Sequence, residues 1–178
     1  MSQVQKNYIA GQWVGGESTV KNINPSNHTE IVGEFAQASA DQVDQAIAAA
    51  RQAQVKWQAT GLEAKQRVLQ AIGDEMIACC DELGEVLSRE EGKPRAEGRG
   101  EVYRAGQFFQ YYAAEVLRQM GDTADSVRPS VEIEVHREPM GVVTVISPWN
   151  FPTATASWKI APALAFGNAV IWKPANLT

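Results

Sequence analysis

The sequence predicts an α/β protein in which helices and hairpins lead into the first strand–helix–strand unit of a parallel sheet. Three observations predict it. Between residues 39 and 116 apolar residues recur at the helical steps of three and four. The β-branched run Val142-Val143-Thr144-Val145-Ile146 precedes an Ala-rich segment at 153–166 and a second short apolar run, Ala169-Val170-Ile171-Trp172. The two runs end in Ser147-Pro148-Trp149-Asn150-Phe151-Pro152 and Lys173-Pro174-Ala175-Asn176. Ligands of open parallel sheets bind at such strand ends.

The elements follow in order. Tyr8-Ile9-Ala10-Gly11-Gln12-Trp13-Val14 reads as a strand with a turn in it, broken by Gly15-Gly16. Asn24-Pro25-Ser26-Asn27 is a turn signal, and residues 30–36 supply the second strand of a hairpin. Ser39-Ala40-Asp41-Gln42 has capping-box spacing and opens a helix. Its apolar stripe runs Val43, Ile47, Ala50 and Trp57, with Gln54 interrupting. After Gly61 a second helix carries Leu69, Ile72, Met76, Cys79 and Leu83 on one face and runs to Gly92-Lys93-Pro94. Cys79 therefore belongs to the core face as a small apolar side chain. A third helix begins near Glu97, weakened at first by Gly98 and Gly100. It places Val102, Ala105, Phe109, Tyr112 and Val116 on one stripe, and Arg104, Phe108 and Tyr111 on its neighbour. Arg104 beside two aromatics has two readings: a side chain that snorkels from a helix flank, or a cation with a task. Residues 131–137 alternate with period two, a strand solvated on one face and ended by Pro139.

Composition narrows the function classes. A chain of 178 residues, 44% hydrophobic and 21% charged, is one large domain or one and a half small ones. A net charge of −5 without a Lys/Arg cluster excludes a nucleic-acid partner. The first residues hold no apolar core of a secretory signal. No apolar run approaches the roughly 18 residues of a membrane span, so a cytoplasmic protein without a membrane partner is expected. Cys79 and Cys80 are adjacent and poorly placed for a disulfide, and His28 and His136 are far apart, so no metal site is expected.

The loop after the first parallel strand carries the chemistry. Pro148 and Pro152 stiffen it, and a stiff loop holds a side chain in one place. Asn150 has two readings of equal weight. Its amide can donate to a developing oxyanion, or it can cap the following helix. Lys173 likewise either binds a nucleotide ribose or phosphate, or is a solvated strand end. Gly98-Arg99-Gly100 lacks the third glycine of a dinucleotide fingerprint, and no phosphate-loop motif occurs.

Several motifs occur in the order and spacing of one family. Pro139-Met140-Gly141-Val142-Val143, Pro148-Trp149-Asn150-Phe151-Pro152, Lys159-Ile160-Ala161-Pro162-Ala163-Leu164-Ala165, Gly167-Asn168 and Lys173-Pro174-Ala175 resemble the aldehyde dehydrogenase superfamily. Trp13, Asn24-Pro25 and Glu90-Glu91-Gly92-Lys93-Pro94 resemble it too. Arg89-Glu90-Glu91-Gly92-Lys93 and Ser126-Val127-Arg128-Pro129 look most like the α-ketoglutaric semialdehyde (2,5-dioxopentanoate) dehydrogenase branch. The resemblance implies an NAD- or NADP-dependent oxidation of an aldehyde to a carboxylic acid. A succinate or other semialdehyde dehydrogenase, or a non-catalytic nucleotide-binding or assembly module of the same fold, are the alternatives.

The same resemblance implies roles. Asn150 donates to the oxyanion, and Lys159 lies behind the active site on a proton relay. Ile146, Ser147, Pro148 and Trp149 line the nicotinamide side of the cofactor channel. Lys173, with Ala175 and Asn176 beside it, binds the adenosine ribose. Phe151, Thr155 and Trp158 face the aldehyde tunnel, and Arg104 is positioned to hold the far carboxylate of a semialdehyde acid. Many members carry an acid at position 176; neutral Asn176 leaves NAD and NADP both open. The resemblance divides the chain into 1–120, the hairpin and helical part of the cofactor domain; 121–138, an oligomerisation-type strand; and 139–178, the start of a Rossmann-like sheet. It is the N-terminal portion of a longer, homo-oligomeric protein, dimer or tetramer, that the chain resembles. The family's nucleophilic cysteine and general-base glutamate are expected beyond Thr178, so 1–178 alone is expected to be inactive.

Overall fold

The computed structural model describes residues 4–118 and 120–178. Residues 1–3, part of the segment read as free of a leader, and residue 119 lie outside that description. Two hairpins open the chain. Strands β1 (Asn7–Ile9) and β2 (Gln12–Val14) pair antiparallel around Ala10 and Gly11, whose φ values of 52° and 79° make the left-handed turn that suits a two-residue hairpin. Strand β4 (Ile31–Gln37) pairs with β3 (Ser18–Ile23), which hydrophobic pattern alone does not mark because Lys21 and Asn22 interrupt it. The turn between them is tied by Asn24, which donates to Glu30 at 2.8 Å and accepts from the Ser26 amide at 2.9 Å.

Helix α1 (Ala40–Gln58) begins at the expected capping box, with Ser39 and Gln42 exchanging both bonds. None of its residues is fully buried. It reaches the parallel unit through two polar bonds. Gln54 donates to the Gly167 carbonyl at 3.1 Å, and the Trp57 indole to the Leu164 carbonyl at 2.8 Å. Gln54 thus completes the stripe it interrupts in the sequence.

The long second helix is corrected. It is two helices, α2 (Leu62–Ala78) and α3 (Cys80–Glu91), broken at Cys79 with φ −95° and ψ 11°. The buried stripe continues through the break at steps of three and four, as Gly73, Met76, Cys80, Gly84 and Leu87. Cys80, not Cys79, enters the core against Leu87 and Val102, and Leu83 is 41% exposed. No glycine or proline marks that break. Gly92 closes α3 with φ 84°, the left-handed terminus that glycine adopts most readily.

Helix α4 (Arg95–Glu115) starts two residues before the expected Glu97, directly after Pro94. Gly98, which costs helix propensity, gains close approach instead. A Cβ there would lie 2.5 Å from the Gly84 carbonyl oxygen, and one on Gly84 would lie 2.5 Å from the Arg99 Cα. The main core joins Leu69 of α2 with Phe109 and Ala113 of α4, Val116, and Ala161 and Ala165 of the next helix.

The parallel unit is as the sequence predicts. Strand β7 (Val142–Ile146), helix α5 (Pro152–Ala165) and strand β8 (Ala169–Lys173) fold so that Val142 faces Ala169 and Ile146 faces Lys173 in parallel register. Between α4 and β7, β5 (Asp122–Asp125) pairs antiparallel with β6 (Glu132–Val135). The expectation for residues 131–137 is corrected here: both faces of β6 are exposed, with Ile133 46% and Val135 51% accessible. Its alternation would bury one face, but no described element covers that face. Among the described residues no helix is long and apolar enough to cross a membrane.

Candidate functional site

Both strands of the parallel unit end at the same edge, so the two polar loops lie side by side. Ser147, directly after β7, is 4% exposed. Its hydroxyl accepts the Trp172 indole at 3.0 Å, and its amide donates to the Lys173 carbonyl at 3.3 Å. Ser147 therefore staples the strand ends together. Its neighbours Ile146 and Trp149 are 70% and 57% exposed, and Pro148 is half-buried.

Asn150 does not cap α5. Phe151 holds the cap position at φ −142°, and no side chain of the loop bonds the first turn. The Asn150 amide side chain is exposed and has no hydrogen-bond partner among the described residues. Of its two sequence readings, capping is excluded and donation to a ligand stays open.

The cap comes from elsewhere in the chain. Glu101 of α4, 5% exposed, accepts from the Thr153 amide at 2.9 Å and the Ala154 amide at 3.1 Å through one oxygen. A carboxylate at a helix N-terminus satisfies orphan donors and the positive end of the helix dipole. Its other oxygen receives Lys93 Nζ at 2.5 Å. Lys93 Nζ also donates to the Asn150 carbonyl at 3.0 Å and lies 4.4 Å from the Phe151 ring centroid. A fourth neighbour, Glu91, approaches it at 2.9 Å, without hydrogen-bond alignment. Burial disfavours the Lys93 charge, but Glu101 and Glu91 outweigh it and hold its pKa above the ordinary lysine value. Burial pushes the Glu91 carboxyl up, partly opposed by Lys93.

Sequence reasoning passes over Glu101 and gives Lys93 no role beyond a helix end and a place in a family motif. A signal for Glu101 is nevertheless present. It lies three residues after Gly98 and four before Ala105, so a carboxylate sits on the buried stripe of α4. Buried carboxylates are paired.

The remaining residues spread along α5 and α4. Thr155 is half-buried, and its amide donates to the Phe151 carbonyl at 3.0 Å. Lys159 is exposed and reaches back to the Thr155 carbonyl at 3.4 Å. Phe151 is 48% and Trp158 42% exposed. Trp158 packs on Phe108 of α4 with ring centroids 5.5 Å apart. Arg104 lies one helical turn before Phe108, exposed, its guanidinium donating to Gln107 at 3.1 Å.

At the end of β8, Lys173 is exposed and donates to the Asn176 side chain at 2.7 Å. Ala175 is half-buried between them. Buried Asn22 of β3 holds the next turn by donating to the Leu177 carbonyl at 2.9 Å. An ammonium and a neutral amide, with no ion pair to Lys173 among the described residues, are a donor set that fits a ribose diol with or without a 2′-phosphate. Among the described residues no cluster of His, Cys, Asp and Glu is set to hold a metal.

Comparison with known proteins is consistent along the chain. The model of the "Aldehyde dehydrogenase family" matches residues 13–178. The α-ketoglutaric semialdehyde dehydrogenase of Bacillus subtilis is 41% identical over 97% of this chain and 36% of its own length. The solved structure of an NADP-dependent enzyme from E. coli superposes with a TM-score of 0.94 at 33% identity, over 98% of this chain and 36% of that one. Betaine aldehyde dehydrogenase from Staphylococcus aureus, a double mutant in complex with NAD+, superposes with a TM-score of 0.92 at 34% identity, over 98% and 35%. The chain spans little more than a third of the length of the curated relatives it matches.

Proposed function

Since this chain belongs to the aldehyde dehydrogenase family, we propose that the complete protein oxidises a semialdehyde acid, α-ketoglutaric semialdehyde first among them, to the dicarboxylic acid with NAD or NADP. The observation that carries this reading is the Asn150 amide. It stands exposed and without a hydrogen-bond partner among the described residues, on a loop bracketed by two prolines, at the carboxyl edge of a parallel sheet.

In this reading each group has a task set by its chemistry. When an aldehyde is attacked, its oxygen gains charge, and the Asn150 N–H donates to it more strongly in the transition state than before. Lys173 and Asn176 hold the adenosine ribose, while Ile146, Pro148 and Trp149 border the nicotinamide side and Ser147 fixes the strand ends beneath them. The bound dinucleotide supplies a hydride acceptor. Phe151, Thr155 and Trp158 wall the aldehyde path, with Lys159 behind it. Arg104, one turn from the Phe108–Trp158 pair, meets the distal carboxylate. The complete protein works in the cytoplasm as a homo-oligomer, a dimer or tetramer.

Nucleophile and base are not among these groups. Cys80 is 3% exposed in the α3–α4 core, and Cys79 stands at a helix break, so neither is offered as the attacking thiol. Purified 1–178 is therefore expected to reduce no dinucleotide. The decisive assay follows reduced nicotinamide on mixing the complete protein with 2,5-dioxopentanoate and NAD or NADP. Turnover is expected with semialdehyde acids in preference to alkanals. Absence of turnover with every semialdehyde acid would overturn the reading, and an unchanged preference in Arg104→Leu would remove Arg104 from it.

A further inference from the structure

We propose that Lys93 and Glu101 are positioning residues that set where the Asn150 amide points; the proposal rests on Asn150 being the oxyanion donor. The five residues from Asn150 to Ala154 are gripped at both ends by one charged pair. Lys93 Nζ takes the Asn150 carbonyl at 3.0 Å, and Glu101 takes the Thr153 and Ala154 amides at 2.9 and 3.1 Å. The two grips are joined at 2.5 Å, and the joined side chains are only 8% and 1% exposed. Lys93 also stands over the ring of Phe151, one of the two residues between the gripped ends.

The grip comes from outside the loop. Neither residue belongs to the parallel unit, and α5 has no side-chain cap of its own. Charge-assisted bonds in a dry setting are short and directional, and a carbonyl fixed on Asn150 leaves its side chain little beyond rotation about its own bonds. Supporting residues of this kind hold a reacting group to within the half-ångström that catalysis needs. Apart from the face of the Phe151 ring, the pair's contacts on this loop are to backbone groups, the Asn150 carbonyl and the Thr153 and Ala154 amides, so it acts through the placement of Asn150.

The test uses the complete protein and a double-mutant cycle. Lys93→Met is expected to lower kcat on the order of ten- to a hundredfold, as misplacement of a catalytic group does. KM for the dinucleotide should stay within about twofold, because its charged ribose contact, Lys173, lies on the other loop. Lys93→Arg should restore most of the loss. In an Asn150→Ala background, Lys93→Met should cost less than about twofold more, since the residue it positions is gone. Glu101→Gln, which keeps an oxygen for the helix amides while discarding the charge, should repeat the pattern and serves if Lys93→Met does not fold. Equal losses from Lys93→Met in both backgrounds would overturn the proposal, as would loss of folding in both variants. A slow Asn150→Ala with a normal Lys93→Met would sink the positioning role alone. An unimpaired Asn150→Ala would sink the reading of Asn150 itself.

Discussion

The two loops at the carboxyl edge of the sheet are built on opposite plans. The loop after β7 is pinned by a buried ion pair from α4 and the turn before it, 52 residues away in the chain. The loop after β8 is closed by an exposed bond between Lys173 and Asn176 and by one neutral amide from Asn22. Both have a proline and polar residues, and in sequence they look alike. The difference teaches that the loop proposed to carry the oxyanion donor is tied down by long-range charge, whereas the loop proposed to bind the adenosine ribose is tied by neutral and local bonds. Preorganisation serves a group that must meet a transition state. An exposed cation that greets a ribose gains little from it.

Four measurements break or sharpen that contrast. The largest effect is expected from Glu101→Leu, which leaves the Lys93 charge buried without its main partner. Breaking such a pair costs about 3–5 kcal/mol, read as a lowered denaturant midpoint. A loss below about 1 kcal/mol would mean the loop is not pinned there. Next, Asn150→Ala should lower kcat about 10²–10³-fold, or roughly 2.7–4 kcal/mol, while aldehyde KM barely moves. A risen KM with steady kcat would make Asn150 a binding group instead.

Third, Lys173→Ala should raise dinucleotide KM about tenfold, from loss of a bond to a charged donor worth roughly 1.5 kcal/mol. Its effect on unfolding should stay within about 0.5 kcal/mol, as for other exposed sites. Stability loss comparable to Glu101→Leu would erase the distinction between the loops. The smallest effect in ordinary buffers concerns pH. The Lys93 pKa is raised above 10.5, so the stability it contributes is fully present below that value. It is lost as pH climbs through the folded-state value. Below pH 10.5 the wild type should show no Lys93-linked slope; above it, wild type should weaken toward Lys93→Met, followed by chemical denaturation at stepped alkaline pH.

Much of the parallel unit is legible in the sequence because β-branched residues favour strands, as in Val142-Val143-Thr144-Val145-Ile146. The Ser39–Gln42 capping box is legible because its chemistry is local. What escapes is what depends on distant partners. The α2–α3 break at Cys79 carries no breaker residue, and Cys79 and Cys80 stand three and four residues after Met76, so periodicity alone does not choose between them for the core. Strand β6 alternates as a half-buried strand should, yet no described element lies over it. Within the proposed site, the position of Asn150 and Lys173 at strand ends is legible because polar residues follow each apolar run, while their roles rest on the family resemblance. The Lys93–Glu101 pair is not, since no short-range pattern announces that a helix-4 carboxylate caps helix 5. The exclusion of Asn150 as a cap likewise needs the backbone of Phe151.

Helix α1 rests on the parallel unit through Gln54 and Trp57 and buries no residue of its own fully. Its amide protons should therefore exchange with solvent deuterium ahead of those of α2, α4 and α5, which share the Leu69–Phe109–Ala161 core. In the language of folding units, α1 is an outer leaf that can lift while the sheet edge and its two loops keep their shape.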